Sequence, residues 1–149
     1  MKITLAHVGG HTGAKDTFDQ AVEEYLGRCS RFAHCATVGF RSEAALLQAL
    51  ARQRGRAPAV IVLLDSQGRQ MTSEAFAAWM GARRDEGAQG ILFAIGPANG
   101  WSAEARARAG MVLSLGKMTM AHRLARLVMA EQIYRAVTIL TGHPYHVGH

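Results

Sequence analysis

Long apolar runs are missing from this 149-residue chain. No stretch of about 18 apolar residues occurs, which argues against a membrane-spanning helix. The opening Met1-Lys2-Ile3-Thr4-Leu5 alternates polar and apolar residues as a strand does. It lacks the apolar core and small-residue cleavage site of a secretory signal, so a cytoplasmic protein with no membrane partner is expected. Cysteine is scarce: Cys29 and Cys35 are the only two. That excludes a disulfide framework and leaves two small, semi-buried side chains, one ending a helix and one starting a strand. His34 beside Cys35 is the only hint of a metal ligand there. Lysine is scarce too, with Lys2, Lys15 and Lys117 against a large excess of arginine. No internal repeat, low-complexity segment or interdomain linker is visible, so residues 1–149 read as one domain.

Two nucleotide fingerprints are absent as well. The glycine loop Gly9 to Gly13 is not G-x-G-x-x-G, and it has no Gly-Lys-Ser/Thr of a P-loop, so it reads as turn chemistry. What is present is an apolar content of 49%, enough for one core, and a net charge of +6 with a pI near 10.0. A basic surface favours polyanions such as nucleic acid.

Strand and helix signals alternate. Strands are expected at Ile3 to Val8, Ala36 to Phe40, Ala59 to Leu64, Ile91 to Ile95 and Met111 to Leu115. The third and fourth are continuous apolar runs, as in strands covered on both faces. Helices are expected over Ala14 to Arg28, after the N-cap Ser42 with a basic end at Arg52, Arg54 and Arg56, after Thr72, after Ser102, and from about Thr119 to Leu140. Alternation of this kind predicts a parallel α/β sheet with helices on both faces. In such sheets ligands collect at the carboxyl ends of strands. Three loops leave such ends in the second half: Asp65 to Gly68, expected as a turn, Gly96 to Gly100, and Leu115 to Met120.

Each loop has an ordinary reading beside a functional one. Gly96 lets a group approach the backbone closely, yet Gly96 to Gly100 also suits a plain strand-to-helix link. Amides of Leu115 to Met120 suit an adenine edge, yet the methionines also suit a core. In the long helix, Glu131 and Arg135 have the spacing of a helical ion pair. Arg123 and Arg126, near its start, oppose the local dipole and are candidates for holding an anion. His143, His146 and His149 recur in the tail. Metal ligation, folding over a site, and stacking on a base all remain open for them.

Several of these residues together carry a resemblance. Ile95-Gly96-x-x-x-Gly100, Leu115-x-Lys117-Met118-Thr119, His122-x-x-x-Arg126, Glu131-Gln132-x-Tyr134-Arg135-Ala136 and His143-Pro144-Tyr145-His146 resemble, in order and spacing, the RlmH family of SPOUT methyltransferases. Val8-Gly9 and Tyr25-Leu26 match as well, so the resemblance spans essentially the whole chain. It implies a C-terminal deep trefoil knot over roughly residues 60–149, a homodimer, and S-adenosyl-L-methionine (SAM) as methyl donor, with no metal. It implies methylation at N3 of a pseudouridine in 23S rRNA, on the assembled ribosome. Carried over, its cofactor contacts fall on Leu64, Gly96, Leu115, Gly116, Lys117, Met118, Thr119 and Met120, in the three loops selected above. Candidates for the chemistry are Arg126 and Arg135 for phosphate or enolate stabilisation, and His146, His122 and Tyr145 for proton handling. Three features depart from the pattern. Pro97 replaces a glycine and removes an amide donor, Ala121 replaces a proline, and Val147-Gly148-His149 prolongs the tail. Two rivals follow: a SPOUT enzyme acting on tRNA, and a non-catalytic ribosome-binding protein of the same fold.

Overall fold

A computed structural model describes residues 1–9, 15–53 and 59–148. The expected loop and helix start at Gly10 to Ala14, the arginines Arg54 and Arg56, and His149 lie outside the described residues.

Five parallel strands form one sheet in the order β2-β1-β4-β3-β5. They are β1 (Lys2–Val8), β2 (His34–Phe40), β3 (Val60–Arg69), β4 (Gly90–Ile95) and β5 (Met111–Leu113). Between and after them run α1 (Thr17–Cys29), α2 (Glu43–Ala51), α3 (Ser73–Asp85), α4 (Ala103–Arg108) and α5 (His122–Thr141). The apolar run of β4 is buried along its whole length because β1 and β3 flank it and helices cover both faces. On one face Ile3, Leu5 and Phe93 meet Val22 and Leu26 of α1, Phe76 and Met80 of α3, and Met129 and Ile133 of α5. On the other, Ala6, Val8 and Leu92 meet Leu46 of α2 and Ala105 of α4. Alternate residues of each strand thus serve opposite cores, as the pleat requires.

Ser42, Thr72 and Ser102 cap α2, α3 and α4 as expected, each accepting from the amide three residues on. The first helix starts later than its periodicity suggests, because Asp16 and Asp19 form a capping box that fixes its first turn at Thr17. The last helix begins at His122 instead of Thr119, without a side-chain cap at Ala121. It ends at Gly142, whose left-handed φ of 76° lets the His143 amide bond back to the Thr138 carbonyl and turns the tail onto α5.

The largest departure from expectation concerns Asp65 to Gly68. Asp65 does accept from the Gln67 amide, in the manner of a turn. The chain nevertheless stays extended through Arg69, with a register shift between Leu64 and Arg69. The reason is a second set of partners. Arg69 pairs with Leu113, its carbonyl accepts from the Ser114 amide at 2.9 Å, and Ser114 Oγ donates to the Ser66 carbonyl at 3.1 Å. The chain leaving β5 therefore crosses directly against the end of β3. Gly68 permits it: a Cβ there would lie 2.7 Å from the Val112 carbonyl oxygen and 2.8 Å from the Leu113 carbonyl carbon.

Because those neighbours are backbone atoms, Gly68→Ala should cost about 1–3 kcal/mol through overpacking. Urea unfolding followed by circular dichroism measures this, and an unchanged midpoint would contradict the crossing.

Candidate functional site

The parallel strands bring their carboxyl ends to one edge, and there the three expected loops converge. They line a cavity of about 440 Å³, within the range of small-molecule sites. Leu64, Gly96, Leu115, Gly116, Met118, Thr119 and Met120 line it, seven of the eight residues expected at a cofactor. Lys117 is exposed and stands outside the lining. Pro97 is part of the wall.

Trp101 forms the floor between two of the loops. Its indole Nε1 donates to the Leu64 carbonyl at 3.0 Å, joining the end of β3 to the loop after β4. Its ring also lies against Gly96, where a Cβ would sit 2.6 Å from the indole. Gly96 is thus required by a close approach, but the approaching group is Trp101 of the same chain. The third loop is shaped by Ser114, whose Oγ accepts from the Gly116 amide and shares its one proton between the carbonyls of Ser66 and Gly116. Among the described residues, the amides of Met118, Thr119 and Met120 donate to no protein acceptor. Free amides, apolar side chains and this volume fit an adenosine-bearing ligand such as SAM. No group of three or more His, Cys, Asp or Glu able to hold a metal ion occurs among the described residues.

One wall of the cavity is the start of α5, through His122 and Ala125. His122 Nε2 is buried without a partner among the described residues. Burial, then the Arg126 guanidinium, hold His122 below the usual histidine range, so it is neutral at pH 7. His7, at the end of β1, packs edge-to-face on it with ring centroids 6.1 Å apart. Burial, then Arg126 and His122, lower His7 to about 4. Arg126 itself is buried and donates from Nη1 to Asp19 at 2.9 Å, leaving Nε unpartnered among the described residues. Arg123 pairs in the same way with Asp16. The two carboxylates that cap α1 therefore also hold the two arginines expected to seek an anion. Asp19 is lowered to about 2, mainly by the Asp16 amide and, against burial, also by Arg126.

Arg135, Tyr145 and His146 assemble elsewhere. Arg135 donates to Glu131 from Nε at 3.0 Å and Nη2 at 2.5 Å, the expected helical pair. Tyr145 OH donates to the same carboxylate at 3.0 Å, and its ring lies on Tyr134. Burial and Glu131 push Tyr145 up to about 12, so it stays a phenol. His146 bridges Arg135 and Glu74 of α3, while His143 packs edge-to-face against Phe32. Arg135 is 13 residues beyond His122 on α5, so this cluster is roughly 20 Å along the helix from the cavity.

The sequence reading missed His7, Asp16, Asp19, Glu74 and Trp101. Asp16-Thr17-Phe18-Asp19 carries a capping signature that would have found two of them. Nothing local marks His7, Glu74 or Trp101, whose roles arise from partners distant in sequence.

A family described as "Predicted SPOUT methyltransferase" matches residues 1–146. The chain belongs to the SPOUT methyltransferases. The ribosomal RNA large subunit methyltransferase H of Koribacter versatilis (strain Ellin345) is 51% identical over 150 aligned positions, covering 100% of both chains. That of Rhizobium meliloti (strain 1021) is 54% identical over 87 residues, 58% of this chain and 54% of the relative. Within the SPOUT enzymes, the chain is a member of this methyltransferase H family. Among solved structures, the SpoU methyltransferase AviRb from Streptomyces viridochromogenes, crystallised with AdoMet, shares the fold at a TM-score of 0.50. Its sequence identity is 14%, and the match covers 95% of this chain and 58% of that one.

The lowered histidines set an acid limit. Unfolded histidine titrates near 6.5, and native His7 near 4. Between these values the unfolded chain binds the extra proton, so the histidine contribution should make stability fall as pH drops from about 6.5 to about 4, below which Asp19, lowered to about 2, continues the decline. His122, lowered likewise, adds to the slope. Urea midpoints across this range should decline in the native protein and decline less in His7→Asn. Equal slopes would show that His7 is not held neutral.

Proposed function

We propose that this chain is a SAM-dependent methyltransferase that adds a methyl group to N3 of a pseudouridine in 23S rRNA, on the assembled ribosome in the cytoplasm. The observation that carries the reading is the convergence of seven expected cofactor residues on one cavity at the strand ends. When bound, SAM supplies an electrophilic methyl group on a sulfonium. Leu64, Gly96 and Leu115 to Met120 would hold it there, and the uncapped N-terminus of α5 favours a carboxylate at the wall. The trefoil over roughly residues 60–149 is part of this proposal, and the close packing of Gly68 on the end of β5 is consistent with it.

The imide proton at N3 must leave as the new bond forms. His122 is the neutral, cavity-lining group assigned to accept it; its Nε2 is buried and unpartnered among the described residues, so it would take the proton only when the bound nucleotide reaches that wall. His146 and Tyr145 lie in the distant tail cluster. Arg126 stands closer and, already paired with Asp19, acts chiefly by its position beside His122. Arg135, Tyr145 and His146 lie too far along α5 to reach their own cavity. A homodimer resolves this if the cluster of one copy faces the cavity of the other, so that protein contacts from both copies grip the RNA.

Ribosomes lacking the mark should accept labelled methyl from SAM, whereas bulk tRNA should not. Label on tRNA alone, or calorimetry showing no SAM binding, would sink the reading. His122→Gln should slow transfer about 100-fold or more with SAM affinity retained; an unchanged rate would remove His122 from the chemistry. Two separately inactive variants, Met120→Trp in the cavity and Arg135→Ala in the tail cluster, should regain roughly a quarter of native activity when mixed and re-dimerised, because half the dimers then carry one intact shared site. No recovery from folded mixed dimers would contradict sharing.

A further inference from the structure

Trp101 lines the cavity but has no part in the proton transfer proposed above, and its surroundings hold its ring still. It follows a turn in which the Gly100 amide donates to the Pro97 carbonyl at 3.0 Å and Gly100 takes a left-handed φ of 84°. It precedes Ser102, the cap of α4, whose amide donates to the Glu43 carboxylate of α2 at 2.8 Å. The residue is only 7% exposed and packs in the core with Val8, Leu63, Leu92 and Ala105.

We propose that Trp101 is a positioning residue for the methyl donor: its indole holds the ends of β3 and β4 at a fixed spacing, so donor affinity depends on it and the chemical step does not. The inference rests on the proposed SAM occupancy of the cavity. On the β3 side, the register shifts between Leu64 and Arg69, so the Leu64 carbonyl stands where regular pairing ends. A carbonyl at such a break needs a donor of its own, and the indole Nε1 supplies it at 3.0 Å. On the β4 side, a Cβ at Gly96 would lie 2.6, 2.7 and 2.9 Å from Cε2, Nε1 and Cζ2 of the ring, so indole and backbone are in direct contact. One rigid ring therefore touches two of the three loops that line the cavity. A side chain without the indole N–H frees the Leu64 carbonyl to turn, and a smaller one lets the two loops drift. Either change makes the ligand order the walls as it binds, which weakens binding. Gly96 is then required by Trp101, and a methyl group at 96 harms the site chiefly by pushing the ring.

Calorimetry with SAM should show Trp101→Phe, which keeps a ring and loses the donor, binding about fivefold more weakly than the native protein. On ribosomes lacking the mark, its KM for SAM should rise by the same factor while kcat at saturating SAM stays native. The chain's other tryptophan, Trp79 of α3, packs against the opposite core and on Arg83. Trp79→Phe thus leaves Trp101 as the sole indole, and its emission should change on adding SAM, whereas that of Trp101→Phe should not. Gly96→Ala should weaken SAM binding far less in a Trp101→Leu background than in the native one, because leucine vacates the space the new Cβ needs. Native affinity in Trp101→Phe, a lowered kcat with unchanged KM, unchanged emission in Trp79→Phe, or equal Gly96→Ala losses in both backgrounds would each overturn the proposal. Should Trp101→Phe not fold, the emission of Trp79→Phe decides. A native protein that gives no heat with SAM would instead sink the cofactor reading, and the inference with it.

Discussion

The end of β3 lies in backbone contact with the chain that leaves β5, and the cavity exists because of that contact. Ser66 and Arg69 supply carbonyls, Ser114 supplies an amide and a hydroxyl, and Gly68 supplies the missing side chain. Ser114 Oγ also accepts from the Gly116 amide, which bends the chain there. From there Leu115 to Met120 run irregularly along the cavity, so their amides stay out of any ladder. One crossing thus both ends a sheet and leaves donors free for a ligand.

A second set of contacts keeps the cavity's far wall in place. Asp16 and Asp19 cap α1 reciprocally and each spends its other oxygen on an arginine of α5. The first turn of α5, lacking a cap of its own, is thereby tied to the first turn of α1. Arginines near a helix N-terminus would otherwise be unfavourable. Pairing them with carboxylates at another helix N-terminus, where anions are stabilised, satisfies both ends. His7 and His122 are packed beside this clamp and kept neutral mainly by burial and then by the Arg126 guanidinium.

The strand pattern was readable because the pleat and the two-sided burial of β3 and β4 leave unbroken apolar runs, and Ser42, Thr72 and Ser102 announced their helices. The extension of β3 was not readable: Asp65 and Gly68 carry turn chemistry, and only the passing chain near Ser114 overrides it. Gly96 was rightly singled out for a close approach, though Trp101 was invisible as its partner. The loops that line the cavity were legible as strand ends. The separation of Arg135, Tyr145 and His146 from the cavity was not, since a helix 20 residues long carries its two ends to different sites.

The account rests on a ligand held by backbone amides at the crossing. Amide hydrogen exchange of the protein with and without SAM measures this directly. Slowed exchange at the segments around Leu64, Gly96 and Leu115 to Met120, extending at most to the tail cluster that the proposed dimer brings to the cavity, is the predicted result. Protection elsewhere, or none at saturating SAM, would contradict it.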